Sequence, residues 1–588
     1  MYPRVKRVRS GDRVYEYLQL VEGRREGGKV RQRVVATLGR VDELKASGQL
    51  DRWAGALARL DPPPVGAHRD VGALLLVAHY LGRLRLARLV DAAAPMRGRS
   101  LLTHGEVVAA LVANRLTSPA PLYDVAGWAG SAAVTELLGV PAGLLNDDRL
   151  GRALEAVAPV AEDLRGRVLL ASLDHFDVDA SRLHLDLTTV RFAGAYPDSQ
   201  LVKKGWGSDR RVARQVRTLQ AATPDGVSVY FRPHKGSEAE LTALGTALET
   251  LQGMLPAGLV VVADSAFGHL GTLCAADRQG LRFVVPLRAD TGWADRFDTD
   301  LGNLDALKDL DHVAERERRL PPERRTRWRG LLRPFPVTDP ATGGHHELRV
   351  AYIWSSEEAR SVADARERAL VKAEAALTRV RNGLGGRYYK TLSQIQTKVA
   401  RILAPHVEPL IAVSLGEDDR GKPTLSFRRD HNAITAAGRL DGLYALATNL
   451  PDPLSALKVL DIYTDQWVIE QRHRDLKRPR PLRVRPVFLH NDDRIDALVS
   501  VIGLALLIFG LIEADLRRRL PEAEPRLPGL LPEGRAAKPT GRNILAAFDG
   551  LELTYTANGP ALDPLTPTQR QILALLDIPL PWPEQAQD

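Results

Sequence analysis

The sequence predicts an α/β protein built on a mixed sheet with helical cover, and three observations carry that expectation. Between residues 182 and 288, strand-like and helix-like stretches follow one another in the order β-β-β-α-β-α-β, which asks for one sheet with helices laid over it. The stretch LVVVADSAF (259–267) is a continuous apolar run of the kind found in strands buried on both faces. The length of 588 residues exceeds what one core fills, so the sheet must be one of roughly three or four domains.

The elements follow in chain order. Residues 13–40, RVYEYLQLVEGRREGGKVRQRVVATLGR, read as a hairpin about a Gly27-Gly28 turn. Lys29, Arg31 and Arg33 alternate with Val30, Gln32 and Val34, so one strand face is basic, suited equally to solvent or to an acidic partner. DPPPVG (61–66) breaks the chain, and 70–165 is helical in pattern: ALLLVAHYLGRLRLARLV has apolar residues at three and four spacing. NDDRLGRALEAVAPVAEDL opens on Asn146 as an N-cap. In RLHLDLTTVRF (182–192), Leu183, Leu185 and Leu187 face one way, and His184, Asp186 and Thr188 form a polar face. RQVRTLQAAT and VSVYFRP follow as strands around a PDG turn, then the helical SEAELTALGTALETLQGM, the buried strand, a further helix and LRFVVPLR. From 289 to 438 the texture is mixed. GLYALATNL (442–450) returns to strand, and two long helices follow at about 453–477 and 492–520. The tail, 521–588, is richer in proline and less periodic.

Composition narrows the classes. Apolar residues at 44% and charged residues at 26% are ordinary for a globular protein. A net charge of +9 favours an acidic partner, nucleic acid before an anionic membrane. Cys274 is the only cysteine, so no disulfide framework exists and a reducing cytoplasm is expected. The basic N-terminus lacks the apolar core of a signal peptide. The longest apolar run, Ala497 to Ile512, falls short of the roughly 20 residues a membrane span needs, so a buried core helix and no membrane partner are expected.

Several motifs carry chemistry or fail to. GEDDRGKPT (416–424) approaches a phosphate loop, but Pro423 fills the slot of the metal-binding hydroxyl and Glu417, Asp418 and Asp419 repel phosphate; it reads as a surface turn. GGHHE (343–347) lacks metal-ligand spacing and reads as a loop. Asp186 stands mid-strand among leucines. Asp264 closes VVVAD at the C-terminal mouth of the buried strand, where open α/β sheets bind ligands, or else it caps the next helix. In YTDQWVIEQRHRDLK (463–477), seven-residue steps are close to two helical turns, so Tyr463, Glu470 and Lys477 make one stripe, with Gln466, His473 and Arg474 beside Glu470. An i,i+4 ion pair of Glu470 with Arg474 is the plainer account. The run 472–485 holds Arg472, Arg474, Lys477, Arg478, Arg480, Arg483 and Arg485 against Asp475, a density that suits a polyphosphate backbone. Trp328, in RRTRWRG, is flanked by arginines in a way that suits stacking on an unpaired base, or a half-buried place in a β-rich module.

Together these residues resemble the DDE transposases of bacterial insertion sequences, in the branch with a Y-R-E-K signature: tyrosine, two residues, arginine, three, glutamate, six, lysine. Tyr463, Gln466, Glu470 and Lys477 stand at those spacings, with glutamine in the arginine slot. LDLTTV at Asp186 and VVADSAFG at Asp264 resemble the family's first two acids, and GWGSDRRVARQV and DGLYALATN its flanking stretches. The similarity spans about 180–520.

The resemblance implies an RNase H-like catalytic core with a mixed sheet. The second and third acids lie 206 residues apart, which implies a large insertion domain. The expected organisation is a basic β-hairpin region at 1–60, a helical domain at 61–165, a first core segment at 166–288, the insertion at 289–438, a second core segment at 439–520 and a tail at 521–588. The implied activity is metal-dependent DNA cleavage at the element ends and transfer of the 3′-OH into target DNA. Asp186, Asp264 and Glu470 would be catalytic residues and ligands of Mg²⁺ or Mn²⁺, two ions in all. Tyr463, Gln466, Arg472, Arg474, Lys477, Arg478, Arg480 and Trp328 would contact DNA. The implied partners are double-stranded DNA, as terminal repeats and as target, and a second copy in a homodimeric synaptic complex. The implied place is the bacterial cytoplasm, on the nucleoid when bound. Two alternatives stand beside this: a catalytically silent DNA-binding relative, and a structure-specific nuclease without strand transfer.

Overall fold

In the computed structural model, two units are described, with residues 1, 11–12, 27–28, 47–63, 97–99, 207–210, 239–249, 251–257, 478–488, 522, 532 and 586–588 left aside, as are the side chains of 2, 10, 13, 23–32 and 45–46. The first unit comprises Met1–Arg69, Glu552–Pro564 and Pro581–Asp588; the second comprises Asp70–Leu551 and Leu565–Leu580. In the first unit, β1 (Tyr2–Ser10), β2 (Arg13–Glu26) and β3 (Lys29–Arg40) form an antiparallel sheet. The expected hairpin is thus present with an additional strand before it, and its Gly27-Gly28 turn lies outside the described residues. Of the basic face, Arg33 is exposed; the side chains of Lys29 and Arg31 lie outside the description. A short strand, β4 (His68–Asp70), follows.

The second unit is organised by one sheet of ten strands among the described residues. They are β5 (Arg182–Arg191), β6 (Lys203–Trp206), β7 (Val212–Ala222), β8 (Ser228–Lys235), β9 (Val260–Ala263), β10 (Arg282–Pro286), β11 (Lys308–Leu310), β12 (Trp328–Thr338), β13 (His345–Ser355) and β16 (Leu443–Thr448). The order is β11-β12-β13-β16-β10-β9-β5-β7-β6, with β8 also on β7. The strands β5, β9 and β10 run parallel and their neighbours antiparallel, so the sheet is mixed, as its strand texture predicts. The helix expected over 237–254 lies mostly outside the described residues.

Three differences from the sequence reading concern this sheet. The polar face of β5 is largely buried: His184 and Thr188 are 0% and 3% exposed, in a central strand paired on both edges. Burial, followed by the charge of Arg182, pushes the His184 imidazole down to about 3, so it is neutral. Secondly, β11–β13 of the expected insertion belong to the sheet itself, where β13 pairs with β16 over six residue positions. Hydrophobic alternation there serves the same core, through Ala351, Ile353 and Leu446. Only the later portion of 289–438 has a core of its own, where the helix Ser356–Asn382, the helix Leu392–Ile402 and the hairpin β14 (Ile411–Glu417) and β15 (Pro423–Arg429) bring Leu377, Ile395 and Leu425 together. The GEDDRGKPT turn joins β14 to β15, as a surface turn should. Thirdly, His345 and His346 begin β13 instead of lying in a loop, and His346 Nδ1 lies 2.7 Å from Asp277 Oδ2.

Helices hold the sheet from the side of the N-terminal region. The pattern at 73–90 yields two helices, Leu74–Leu84 and Leu86–Ala93, because Arg85 adopts a left-handed conformation (φ 56°) between them. Asn146 caps Asp147–Val157 by accepting from the Arg149 N–H. The helix Asp492–Arg519 is long and apolar enough to span a membrane, yet 94% of its apolar window is buried within the protein. It is a core helix, as its flanking charges predict, packed on β8 and on the helix His104–Thr117; its burial, and not its length, sets it apart from a span. The tail is more regular than its composition suggests. In the second unit it holds the helices Gly541–Ala546 and Pro567–Leu575; in the first it supplies β17 (Glu552–Thr556) and β18 (Gly559–Leu562).

Candidate active site

The parallel pairing of β5 with β9 sets the first two carboxylates side by side. Its register ends at Leu185 opposite Ala263; the next residue on each chain is an aspartate, Asp186 and Asp264. Adjacent strands lie about 4.8 Å apart, so both acids emerge together at the carboxyl edge of the parallel strands. Asp186 Oδ1 accepts from the Leu187 N–H at 2.7 Å. Asp264 Oδ1 accepts from the Ala266 N–H at 3.0 Å. It therefore orders the turn after β9 and does not cap the next helix, which begins at Leu270 after His269.

The single helix expected over 453–477 is two. Ala456–Thr464 ends where the Thr464 hydroxyl bonds back to the Leu460 carbonyl at 2.9 Å, and Trp467–Lys477 begins anew. The chain turns at 465–466, where Asp465 pairs with Arg182 of β5 at 2.7 Å. The stripe of Tyr463, Glu470 and Lys477 is therefore divided: Tyr463 closes the first helix, and the other two share the second, which packs on β5. Even so, Tyr463 remains beside the acids. Its phenol is pushed up to about 12 by burial and then by the charges of Asp264 and Glu470, so it is neutral and close enough to feel both carboxylates.

Glu470 is exposed and lines a cleft of about 1180 Å³ with Arg182, His312, Trp328, Asp465 and Arg474. It does not face a closed apolar core. One turn further, His473 Nδ1 lies 3.3 Å from Asp186 Oδ2. Lys477 lies one turn beyond, its ammonium lowered by partial burial and raised to a lesser degree by Asp186. The helix thus presents Glu470, His473 and Lys477 along one side, with His473 against Asp186 and Lys477 near enough to feel its charge. His473 was legible only as a neighbour of Glu470; its contact with Asp186 depends on how the helix lies across β5.

Not every expected site residue joins this group. Arg472, expected on DNA, is 2% exposed. Its guanidinium bonds Glu513 at 2.8 and 3.1 Å, Asp475 at 3.2 Å and the Gly226 carbonyl at 2.6 Å. It is a structural cation, because it points from the inner side of the helix towards Asp492–Arg519. Trp328 is half-buried, starts β12, and meets His312 edge-on at 5.1 Å; it belongs to the sheet's core while still lining the cleft. Gln466 sits in the turn between the helices, with its Oε1 buried and without a hydrogen-bond partner. Arg474 is exposed beside Glu470. Arg478 and Arg480 lie outside the described residues.

The donor set of Asp186, Asp264 and Glu470 is made of hard carboxylate oxygens, the chemistry that Mg²⁺ and Mn²⁺ require. Among the described residues, no group of three or more His, Cys, Asp or Glu side chains closes on one point tightly enough to hold an ion. Like charges brought to one strand edge repel until a cation joins them.

Comparison with known proteins places the chain. No curated protein matches it. Among solved structures it is similar to the piggyBac transposase synaptic complex with hairpin DNA, at 8% identity over 76% of this chain and 77% of that one, with a TM-score of 0.33. Residues 3–64 match the N-terminal domain of the IS1634 family transposases. Residues 67–163 match a domain of unknown function, DUF4277. Residues 172–508, more than half of the chain, match the transposase DDE domain. The stretch bearing the paired aspartates and the Glu470 helix is thus the matched catalytic domain, and the chain belongs to the DDE transposases of insertion sequences, enzymes of DNA transposition.

Proposed function

We propose that this transposase cuts DNA at the ends of its element and joins the freed 3′-OH to target DNA, using Asp186, Asp264 and Glu470 as one catalytic set on an RNase H-like core. The observation that carries the reading is the register of β5 and β9, which brings two aspartates 78 residues apart in sequence to adjacent positions under the helix of Glu470. The three carboxylates would hold Mg²⁺ or Mn²⁺, two ions in all, which when bound supply charge stabilisation to the attacking and leaving oxygens of an in-line displacement. In the first step water attacks the phosphodiester at the element end; the P–O bond to the 3′ oxygen breaks and that oxygen leaves as the 3′-OH. In the second the 3′-OH attacks a target phosphodiester, forming a new P–O bond and releasing the target's own 3′-OH.

The remaining side chains position this chemistry. Tyr463, kept neutral, donates a hydrogen bond to a phosphate or a carboxylate between Asp264 and Glu470. Lys477 and Arg474, both exposed, hold the DNA backbone as charges. His473 fixes Asp186. The Y-R-E-K branch is the best fit for the helix, with Gln466 leaving its arginine slot uncharged. Two copies would bind the two ends in a synaptic complex.

The test uses duplexes carrying the terminal repeats, in Mg²⁺. Asp186→Asn, Asp264→Asn and Glu470→Gln should each fold, bind the duplex and fail to cut it. Cleavage near the parent rate by any of the three removes that residue from the set. A parent that cuts but does not join is a nuclease; one that binds but does not cut is the silent relative that Gln466 would mark.

A further inference from the structure

Among the described residues of the helical region, Arg115 is a large charged side chain that the transposition chemistry leaves unexplained. It lies in the last turn of the helix His104–Thr117 and is 1% exposed. Its Nε has no hydrogen-bond partner. No carboxylate among the described residues opposes its charge; burial alone lowers it, to about 10. The negative end of its own helix offsets some of that cost. An isolated buried cation is otherwise expensive, and proteins retain one where a counter-charge arrives. The side chain lines a pocket of about 370 Å³ together with Tyr123, Asp147, His490, Asn491 and Arg494.

A second, independent feature points the same way. Asn491 is the N-cap of the 28-residue helix Asp492–Arg519, so the pocket sits at the positive end of the longest helix described, an arrangement suited to anions. Arg494, in the first turn, adds a cation and is itself tied to Glu155 at 2.8 Å. Of the acids nearby, Asp492 accepts from Ser199 and from the Gln200 N–H, and Asp147 and Asp493 are exposed. Tyr123 is 72% exposed at the mouth, an aromatic face free to pack on a sugar or base.

We propose that this pocket binds a phosphate group of the DNA backbone, with Arg115 as its buried anchor, Arg494 beside it and Tyr123 against the adjoining sugar. A guanidinium matches phosphate geometry in two hydrogen bonds. The site lies in the segment matched to the domain of unknown function and at the start of the core helix, away from the carboxylates of β5 and β9. It rests on DNA as the substrate, and it gives the helical region a role, that of fixing the register of the duplex without reading its sequence.

Two measurements on the full-length protein test it. Thermal unfolding is followed with and without inorganic phosphate, and binding to a short duplex is followed against salt, for parent and Arg115→Met. The variant should melt no lower than the parent, because an unpaired buried charge is replaced by a side chain of similar length. It should lose the rise in Tm that phosphate gives the parent. Its duplex affinity should fall about tenfold, and the slope of log affinity against log salt should lessen by about 0.9. Arg494→Gln, at the more exposed wall, should lessen the slope likewise and serves if Arg115→Met does not fold. An Arg115→Met protein with unchanged affinity and slope overturns the proposal, and so does a lower Tm with unchanged binding, which would make Arg115 a packing residue. If phosphate raises the Tm of the parent alone while duplex binding is the same in both, the pocket serves free phosphate and the DNA claim fails. A parent that binds no duplex at all defeats the DNA reading, while the phosphate arm still reports on the pocket.

Discussion

The two sides of the helix Trp467–Lys477 carry similar residues to opposite ends. On the inner side Arg472 and Asp475 are 2% and 4% exposed, locked to Glu513 of the neighbouring helix. On the outer side Glu470, Arg474 and Lys477 are exposed and border the cleft and Asp186. Arg474 and Lys477, offered outside, lie two and five positions from Arg472, held inside. What differs is the counter-charge: Arg472 has two carboxylates of its own, whereas Arg474 and Lys477 keep charge available to a partner. The buried cluster is a fastening that fixes the angle at which the helix crosses β5, and so fixes where Glu470 stands. Arg115 makes the third case, a buried cation that no carboxylate among the described residues opposes.

The comparison is broken most decisively at Arg472. Arg472→Met leaves Asp475 buried without its cation and Glu513 with Arg517 alone, and truncating one partner of such a cluster typically costs about 3–5 kcal/mol. Urea unfolding should show a loss of that size; a loss within about 0.5 kcal/mol, the range of surface substitutions, would mean that the cluster fastens nothing. Glu470→Gln, on the other side, should unfold with the parent while losing cleavage, and the pair of variants separates the two sides by stability against activity.

A smaller effect is expected at His473, which stands between the two. If its Nδ1 orients Asp186, His473→Phe should weaken Mn²⁺ binding about 10–100-fold, the usual effect of removing a group that orients a metal ligand. Titration of the folded protein with Mn²⁺, read by electron spin resonance, reports this without turnover. Equal affinity in variant and parent would leave His473 as packing. Smaller again is Gln466→Arg, which replaces the buried, unpartnered amide oxygen with a cation. Duplex binding should tighten by roughly 1 kcal/mol if the slot meets phosphate; no gain would show that Arg474 already serves. The smallest change is Lys477→Ala, expected to lower affinity evenly across sequences and to lessen the salt slope by about one charge equivalent. An unaltered slope would return Lys477 to the solvated surface.

Much of this was legible beforehand. The alternation at 182–192 and the apolar run at 259–267 identified β5 and β9, and their common texture placed Asp186 and Asp264 in one sheet. The long apolar helix was separable from a membrane span by its flanking acids, whereas its full 28 residues are long enough for one. Periodicity failed where hydrogen bonds local to one turn decided the outcome: the break after Thr464 leaves the spacing of Tyr463, Glu470 and Lys477 intact while dividing their helix. It failed also for β11–β13, because a strand's pattern reports that a face is buried and not which sheet buries it.

By itself, the sequence determined which residues could do chemistry: three acids, a tyrosine and a lysine at set spacings, on elements whose periodicity follows from local hydrophobic pattern. Only the tertiary structure decided which charges are spent inside the protein. Arg472 and Arg474 are alike on paper, and Arg115 gives no signal at all. Burial and pairing depend on how distant segments meet. Arg472 finds Glu513 on another helix, Arg115 finds no carboxylate among the described residues, and no local pattern encodes that difference.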